Sequence, residues 1–173
     1  MKKKVLFKND WLSTYILNGW YVVSEETRCK NGQLVAVLPW RVKNNEVQYL
    51  ARFEENLAHG GEGKFSDVSI ITGGCETKDI LYHAQEELAE EAGYHVDRDR
   101  FRSHGVCKPL KSSMSTMNLF SVRIISKDVR REAKGDGSHG EQGSFCDWVD
   151  RRTLIIEGKD PYIHTIMMRM ENG

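Results

Sequence analysis

The stretch Gly73–Tyr94, GGCETKDILYHAQEELAEEAGY, decides how this chain is read. Four glutamates, Glu86, Glu87, Glu90 and Glu91, fall within six residues. On a helix Glu87, Glu90 and Glu91 share a face, because residues three and four apart are neighbours. Glu86/Glu90 and Glu87/Glu91 then set like charges one turn apart, each pair costing a few tenths of a kcal/mol. Carboxylates converging on one point suit a hard divalent cation such as Mg²⁺, Mn²⁺ or Ca²⁺. A merely solvated acidic face would carry the same charges.

The opposite side of this helix is apolar. Leu81, Ala84, Leu88 and Ala92 recur at helical spacing, with Ile80 close by. Asp79 or Thr77 is a suitable N-cap, and Gly93 fits the left-handed residue past the helix end. The β-branched run Val68-Ser69-Ile70-Ile71 before it reads as a strand. The unit is therefore strand, glycine turn, acidic helix, glycine stop.

Upstream, Leu12–Glu25 holds two strand-like runs joined by Asn18-Gly19, a strong signal for a two-residue hairpin turn. A second Asn-Gly, Asn31-Gly32, precedes the apolar run Gln33–Leu38. Asn44-Asn45 separates Trp40-Arg41-Val42 from Val47–Phe53, so the first third reads as antiparallel hairpins. Residues 55–66 are polar and glycine-rich and read as a loop. Downstream, strands are expected at Ser103–Cys107, 117–126 and Ser144–Val149. A long glycine-rich loop spans 127–143, a length that in compact domains often carries function. Asp150 caps a short helix through Ile156. Asp160-Pro161 opens a last helix whose stripe is Ile163, Ile166, Met167 and Met170. Hairpins, a central helix, more strands and a terminal helix imply an α/β fold, a mixed sheet with helices on its faces.

The 173 residues suffice for one domain, 1–173, with residues 1–30 as an N-terminal antiparallel hairpin. Lysine plus arginine equals aspartate plus glutamate, 25 each, which counts against a nonspecific nucleic-acid binder. The basic start MKKKVLF lacks the apolar run of a secretory signal, and no segment is long enough to span a bilayer. The four cysteines, Cys29, Cys75, Cys107 and Cys146, form no C-x-x-C pair, which makes a cytoplasmic location the simplest expectation.

The central stretch resembles the signature of the Nudix hydrolases, G-x5-E-x7-R-E-U-x-E-E-x-G-U, where U is bulky and apolar. Glu87, Leu88, Glu90, Glu91, Gly93 and Tyr94 fall on its second half, and Gly73-Gly74 on the usual glycine pair. The box is shortened and partly degenerate: Gly74 stands 16 positions before Glu90 (90 − 74), two fewer than the pattern. Anchored on its second half, the first glutamate of the box falls on Lys78 and its arginine on Glu86. Glu76 offers a substitute carboxylate in the turn.

The resemblance implies a Nudix-like α/β/α sandwich and hydrolysis of a nucleoside diphosphate linked to another group, with Mg²⁺ or Mn²⁺ as cofactor. It implies Glu87, Glu90 and Glu91 as catalytic metal ligands, joined by the Gly74 carbonyl. The hairpins, the ARFEEN segment and the loop before Asp147-Trp148-Val149 look most like the ADP-ribose pyrophosphatase branch. In that branch a late-loop glutamate often serves as base; Glu141 is the first choice here, with Asp136 and Glu132 behind it. ADP-ribose or a nucleotide sugar is then the favoured small-molecule substrate, and relatives often dimerise through their N-terminal strands. Departures at Lys78 and Glu86 leave open a domain that binds a nucleotide without cleaving it. A dinucleotide, a nucleoside triphosphate or an RNA cap remains a further alternative.

Arg52, Arg41 and Lys111 are candidate substrate-binding cations, since a planar guanidinium or an ammonium can meet phosphate. For Arg52 the bland alternative is an ion pair with Glu54 or Glu55. Ser112 and Ser113 sit beside Lys111. Trp20 and Trp40 are expected to be buried, and His83 to be an exposed bystander.

Overall fold

A computed structural model describes residues 2–10, 12–26, 29–54, 67–134 and 143–173. The chain begins with a three-stranded antiparallel sheet: β1 (Lys3–Lys8), β2 (Leu12–Leu17) and β3 (Tyr21–Glu26). The β2–β3 loop is Asn18-Gly19-Trp20, one residue longer than the expected two-residue turn, since Leu17 pairs with Tyr21; φ is 52° at Asn18 and 89° at Gly19. β1 went unread in the sequence because all six of its residues are exposed and no burial alternation marks it.

The main sheet has seven strands. Along its path β10 (Phe145–Asp150), β5 (Glu46–Glu54), β4 (Gln33–Lys43), β9 (Thr116–Arg123) and β8 (Phe101–Cys107) lie side by side. Two short strands complete it: β6 (Asp67–Ser69) on β5 and β7 (Ile71–Gly74) on β4. The expected single strand Val68–Ile71 is thus split. β5 flanks only the second half of β4, so the chain leaves β5 at Ser69 and joins the first half of β4 at Ile71.

β4 is the centre of the molecule. Its first half pairs antiparallel with β7, Leu34 opposite Gly74 and Val35 opposite Gly73. Its second half pairs antiparallel with β5 through the Asn44-Asn45 turn, where φ is 52° and 64°. Along its other edge it runs parallel to β9, from Gln33 opposite Thr116 to Trp40 opposite Arg123. Val35 and Val37 face one core, Ala36 and Leu38 the other, and all four are fully buried. Burial on both faces explains the continuous apolar run.

Helix α1 (Ile80–Ala92) covers one face, burying Ala84, Leu88 and Ala92 against Val35, Val37, Leu50 and Ile71. Burial of Leu88 alone stabilises by about 1.5–3 kcal/mol. Asp79 caps α1, accepting from the Tyr82 N–H at 3.1 Å. Gly93 ends it at φ 74°, and a side chain there would collide with the Arg131 carbonyl. Helices α2 (Arg151–Glu157) and α3 (Pro161–Glu171) cover the other face. Leu154, Ile163, Ile166 and Met167 pack there on Ala36, Leu38, Ala51 and Leu119, with Met170 at the margin. The caps Asp150 and Asp160 bond Thr153 N at 2.7 Å and Tyr162 N at 2.8 Å. The result is an α/β/α sandwich. Among the described residues, no helix is long and apolar enough to cross a membrane.

The three-stranded sheet docks on the segment before β9. The Ser24 N–H donates to the Ser112 carbonyl at 2.7 Å, and Met114 N–H to the Ser24 carbonyl at 2.9 Å. Tyr15 is buried, whereas Trp20 is 77% exposed, against the expectation of a buried ring. Its neighbour Tyr21 holds it edge-on at 5.5 Å, on the outer side of the hairpin turn.

Candidate active site

The acidic face of α1 meets the strand end at Gly73-Gly74. Glu87 lies directly against Gly73, and a methyl group added there would land on its carboxyl. The glycine lets the side chain reach the backbone where β7 ends. Gly74 is crowded in turn by the Cys29 sulfur, which would lie 2.7 Å from an added methyl. Glu90 is exposed on the same helix face.

Glu91 is placed otherwise. Its side chain is 5% exposed and ion-paired through Oε1 with Nη1 of Arg52, which is 9% exposed. Arg52 Nε also lies 3.4 Å from Glu54 Oε2, and its Nη2 lies 3.5 Å from the Ser144 hydroxyl. The strand alternation of β5 explains the meeting: Leu50 and Arg52 point to the α1 face, two residues apart. Arg52 is therefore the counter-ion of a glutamate on α1. The Glu54 alternative weighed from the sequence holds too, at the longer distance of 3.4 Å.

Glu86 occupies the position where the box carries arginine. It points outward, accepting from the Tyr82 hydroxyl and lying 3.6 Å from His83 Nδ1. His83 corrects an expectation: it is buried, 7% exposed. Its Nε2 accepts from Thr77 N–H at 3.1 Å and meets the Thr77 hydroxyl at 2.9 Å. It ties the turn after the glycines to the first turn of the helix.

Among the described residues, no group of three or more His, Cys, Asp or Glu side chains is gathered closely enough to hold a metal ion. The convergence of Glu87, Glu90 and Glu91 is therefore incomplete. Like charges on one face repel, and Arg52 draws Glu91 toward β5. The donor chemistry still fits a hard divalent cation, since carboxylate oxygens line the face beside a glycine strand end.

The remaining candidates separate. Arg41 lies six residues further along β4 than Val35, the partner of Gly73, which is about 20 Å. There its guanidinium stacks on Trp148 at 4.0 Å and its Nε donates to Gln48 at 2.9 Å. The structure does not bring it to the glycine turn. Lys111 is exposed in the segment before β9, at the same sheet end as Gly74, and its carbonyl accepts from the Tyr21 hydroxyl at 2.7 Å. Glu76, Lys78 and Glu132 are exposed. Glu141 and Asp136 lie outside the described residues.

Two thiols border the site. Burial pushes Cys75 up to about 12, with the neighbouring Cys29 and Glu87 adding to it. Burial likewise pushes Cys146 up to about 12, with Glu91 adding to it. Burial disfavours the thiolate at both. Arg52, a candidate phosphate contact in the sequence with an ion pair as the alternative, lies against Glu91, a partner the sequence did not suggest. The available signal was its parity with Leu50 inside an apolar strand.

No protein-family model matches the chain, and no curated protein sequence matches it. Solved structures do. An ADP compounds hydrolase aligns with TM-score 0.60 at 14% identity, over 99% of this chain and 94% of that one. The Nudix domain of Shewanella oneidensis NrtR, complexed with ADP-ribose, aligns with TM-score 0.60 at 9% identity, over 83% of this chain and 88% of that one. A MutT/Nudix family protein from Enterococcus faecalis aligns with TM-score 0.50 at 9% identity, over 70% of this chain; the chain spans 44% of that protein's length. At such identities the likeness is one of architecture: the chain has the fold of the Nudix proteins.

Proposed function

We propose that this chain is a Nudix-type pyrophosphohydrolase, dependent on Mg²⁺ or Mn²⁺ and acting on ADP-ribose or a similar nucleoside diphosphate conjugate. The observation that carries the reading is the register of the acidic helix on the glycine strand end, with Glu87 against Gly73 and Glu90 exposed beside it. Glu87, Glu90 and Glu91, with the Gly74 carbonyl, would hold the ion. When bound, a divalent ion neutralises the bridging and leaving oxygens of a pyrophosphate and lowers the pKa of water. Arg52 orients Glu91 and offsets its charge, the task that Glu86 cannot perform at the arginine position of the box. Glu141 remains the candidate base, and Lys111 a candidate contact to the substrate. The ADP-ribose complex of the Shewanella protein supports the ligand class.

The test is Glu90→Gln, assayed against a panel of nucleotide pyrophosphates with Mg²⁺ or Mn²⁺ and products read by mass spectrometry. Turnover is expected to fall by orders of magnitude while the melting temperature holds, because Glu90 is exposed. Unchanged turnover would remove the assignment.

A second reading has its own support. Glu91 is engaged by Arg52 and the box arginine is replaced by Glu86, an arrangement that also suits a domain binding a nucleotide without cleaving it. Calorimetry with ADP-ribose, followed by mass spectrometry after long incubation, separates the two. Tight binding of intact ligand favours the sensor, and breakdown to AMP and ribose phosphate favours the enzyme.

A further inference from the structure

On the opposite face from α1, and at the opposite end of β4, lies a cavity of about 440 Å³ lined by Trp40, Arg100, Arg102, Ser121, Arg123 and Met170. Trp40 is six residues along β4 from Leu34, the partner of Gly74, so the cavity stands about 20 Å from the glycine turn. It is half open to solvent, with room for a small organic ligand to lie against its walls.

The lining has two chemistries. Trp40 and Met170 supply a flat aromatic wall and a flexible apolar one, both at the margin of the α3-side core. Three arginines supply charge, and among the described residues no carboxylate lines the cavity. Arg100 is already engaged: both its Nη atoms lie 2.7 Å from the Asp128 carboxylate, and it also donates to the Arg123 carbonyl. That contact holds Asp128 below the usual carboxylate range. Arg102 and Arg123 are exposed, and among the described residues neither is joined to a carboxylate. The nearest acid on α3, Glu171, is taken by Arg151. The Arg123 guanidinium stands 5.3 Å from the Trp40 ring centre. Arg123 also borders a second hollow, lined by Arg41 and Lys43 and by Asp128, the acid that Arg100 already holds. In a chain with equal numbers of acids and bases, 25 each, this is a local surplus of cations.

We propose that this cavity is a second ligand site, separate from the acidic helix, for a nucleoside monophosphate. The phosphate meets the planar forks of Arg102 and Arg123, which match its oxygens in pairs. The base lies against Trp40 and Met170, where an aromatic wall and a guanidinium both accept a flat π-face. Ser121 closes the floor and is itself held by His104, Nε2 to Oγ 2.8 Å, in a buried bond. Simple anions would satisfy only the arginines. The cavity asks for charge and a planar apolar group on one molecule.

The experiment is calorimetric titration of the full chain with AMP in EDTA, where a cation-dependent site on α1 makes no contribution. Inorganic phosphate and adenosine are titrated in parallel. AMP is expected to bind saturably and more tightly than either fragment. Each of Arg102→Gln and Arg123→Gln should weaken AMP by ~10-fold, and Trp40→Phe by less. Melting curves check that the arginine variants fold, which their exposure favours. The proposal fails if AMP does not bind, if phosphate binds as well as AMP, or if both arginine variants bind AMP as the parent does.

Discussion

Replacing Arg52 with methionine takes a guanidinium partner from the Glu91 carboxylate. The two side chains are 9% and 5% exposed. Removing one member of a buried ion pair costs about 3–5 kcal/mol, because the surviving charge keeps its desolvation penalty and loses its partner. For a domain of this length each kcal/mol moves the melting temperature by about 2–4 °C, so Arg52→Met should melt about 6–20 °C below the parent. The double variant Arg52→Met/Glu91→Gln carries neither charge and should recover most of the loss. A double-mutant cycle on urea midpoints measures the coupling. If Arg52→Met melts like the parent, or the double variant is no better than the single, the pair is not what orders Glu91.

Two further outcomes are expected. Gly73 has no left-handed backbone requirement, so Gly73→Ala should fold and melt close to the parent; its methyl group displaces the Glu87 carboxyl, and metal-dependent turnover should fall ~10-fold or more. Burial pushes the Asp160 carboxyl from 3.8 up to about 6. An acid raised in the fold adds stability below its unfolded value, and that stability is lost as pH rises through about 6. Asparagine keeps the capping oxygen without the charge, so Asp160→Asn should be the more stable protein by about 1–2 kcal/mol at about pH 8, the gap closing near pH 4, in thermal melts across that range.

The helix Ile80–Ala92 was legible in full, because its cap, its apolar spacing and its terminal glycine agree with one another. The two Asn-containing hairpin turns and the caps Asp150 and Asp160 were legible for the same reason: each is local chemistry. What escaped depends on distant partners. β1 is exposed along its whole length and exists as a strand because β2 is there to pair with it. The break at Ile70 follows from where β5 stops along β4. At the site, the acidic face and its glycine neighbour could be read from spacing. The departure of Glu91 toward Arg52 could not, since the two are 39 residues apart and meet only when α1 lies across β5.

β4 carries a consequence for how the chain is made. Its partner β9 begins 83 residues later (116 − 33), and their parallel ladder is the spine of the sheet. A ribosome releases β4 long before β9 exists, so the nascent strand can close its turn with β5 and accept β7 while one whole edge stays open. Long-range pairing of this kind is slow and leaves apolar backbone accessible meanwhile. During synthesis, Val35–Leu38 is thus the segment on which a chaperone would find purchase.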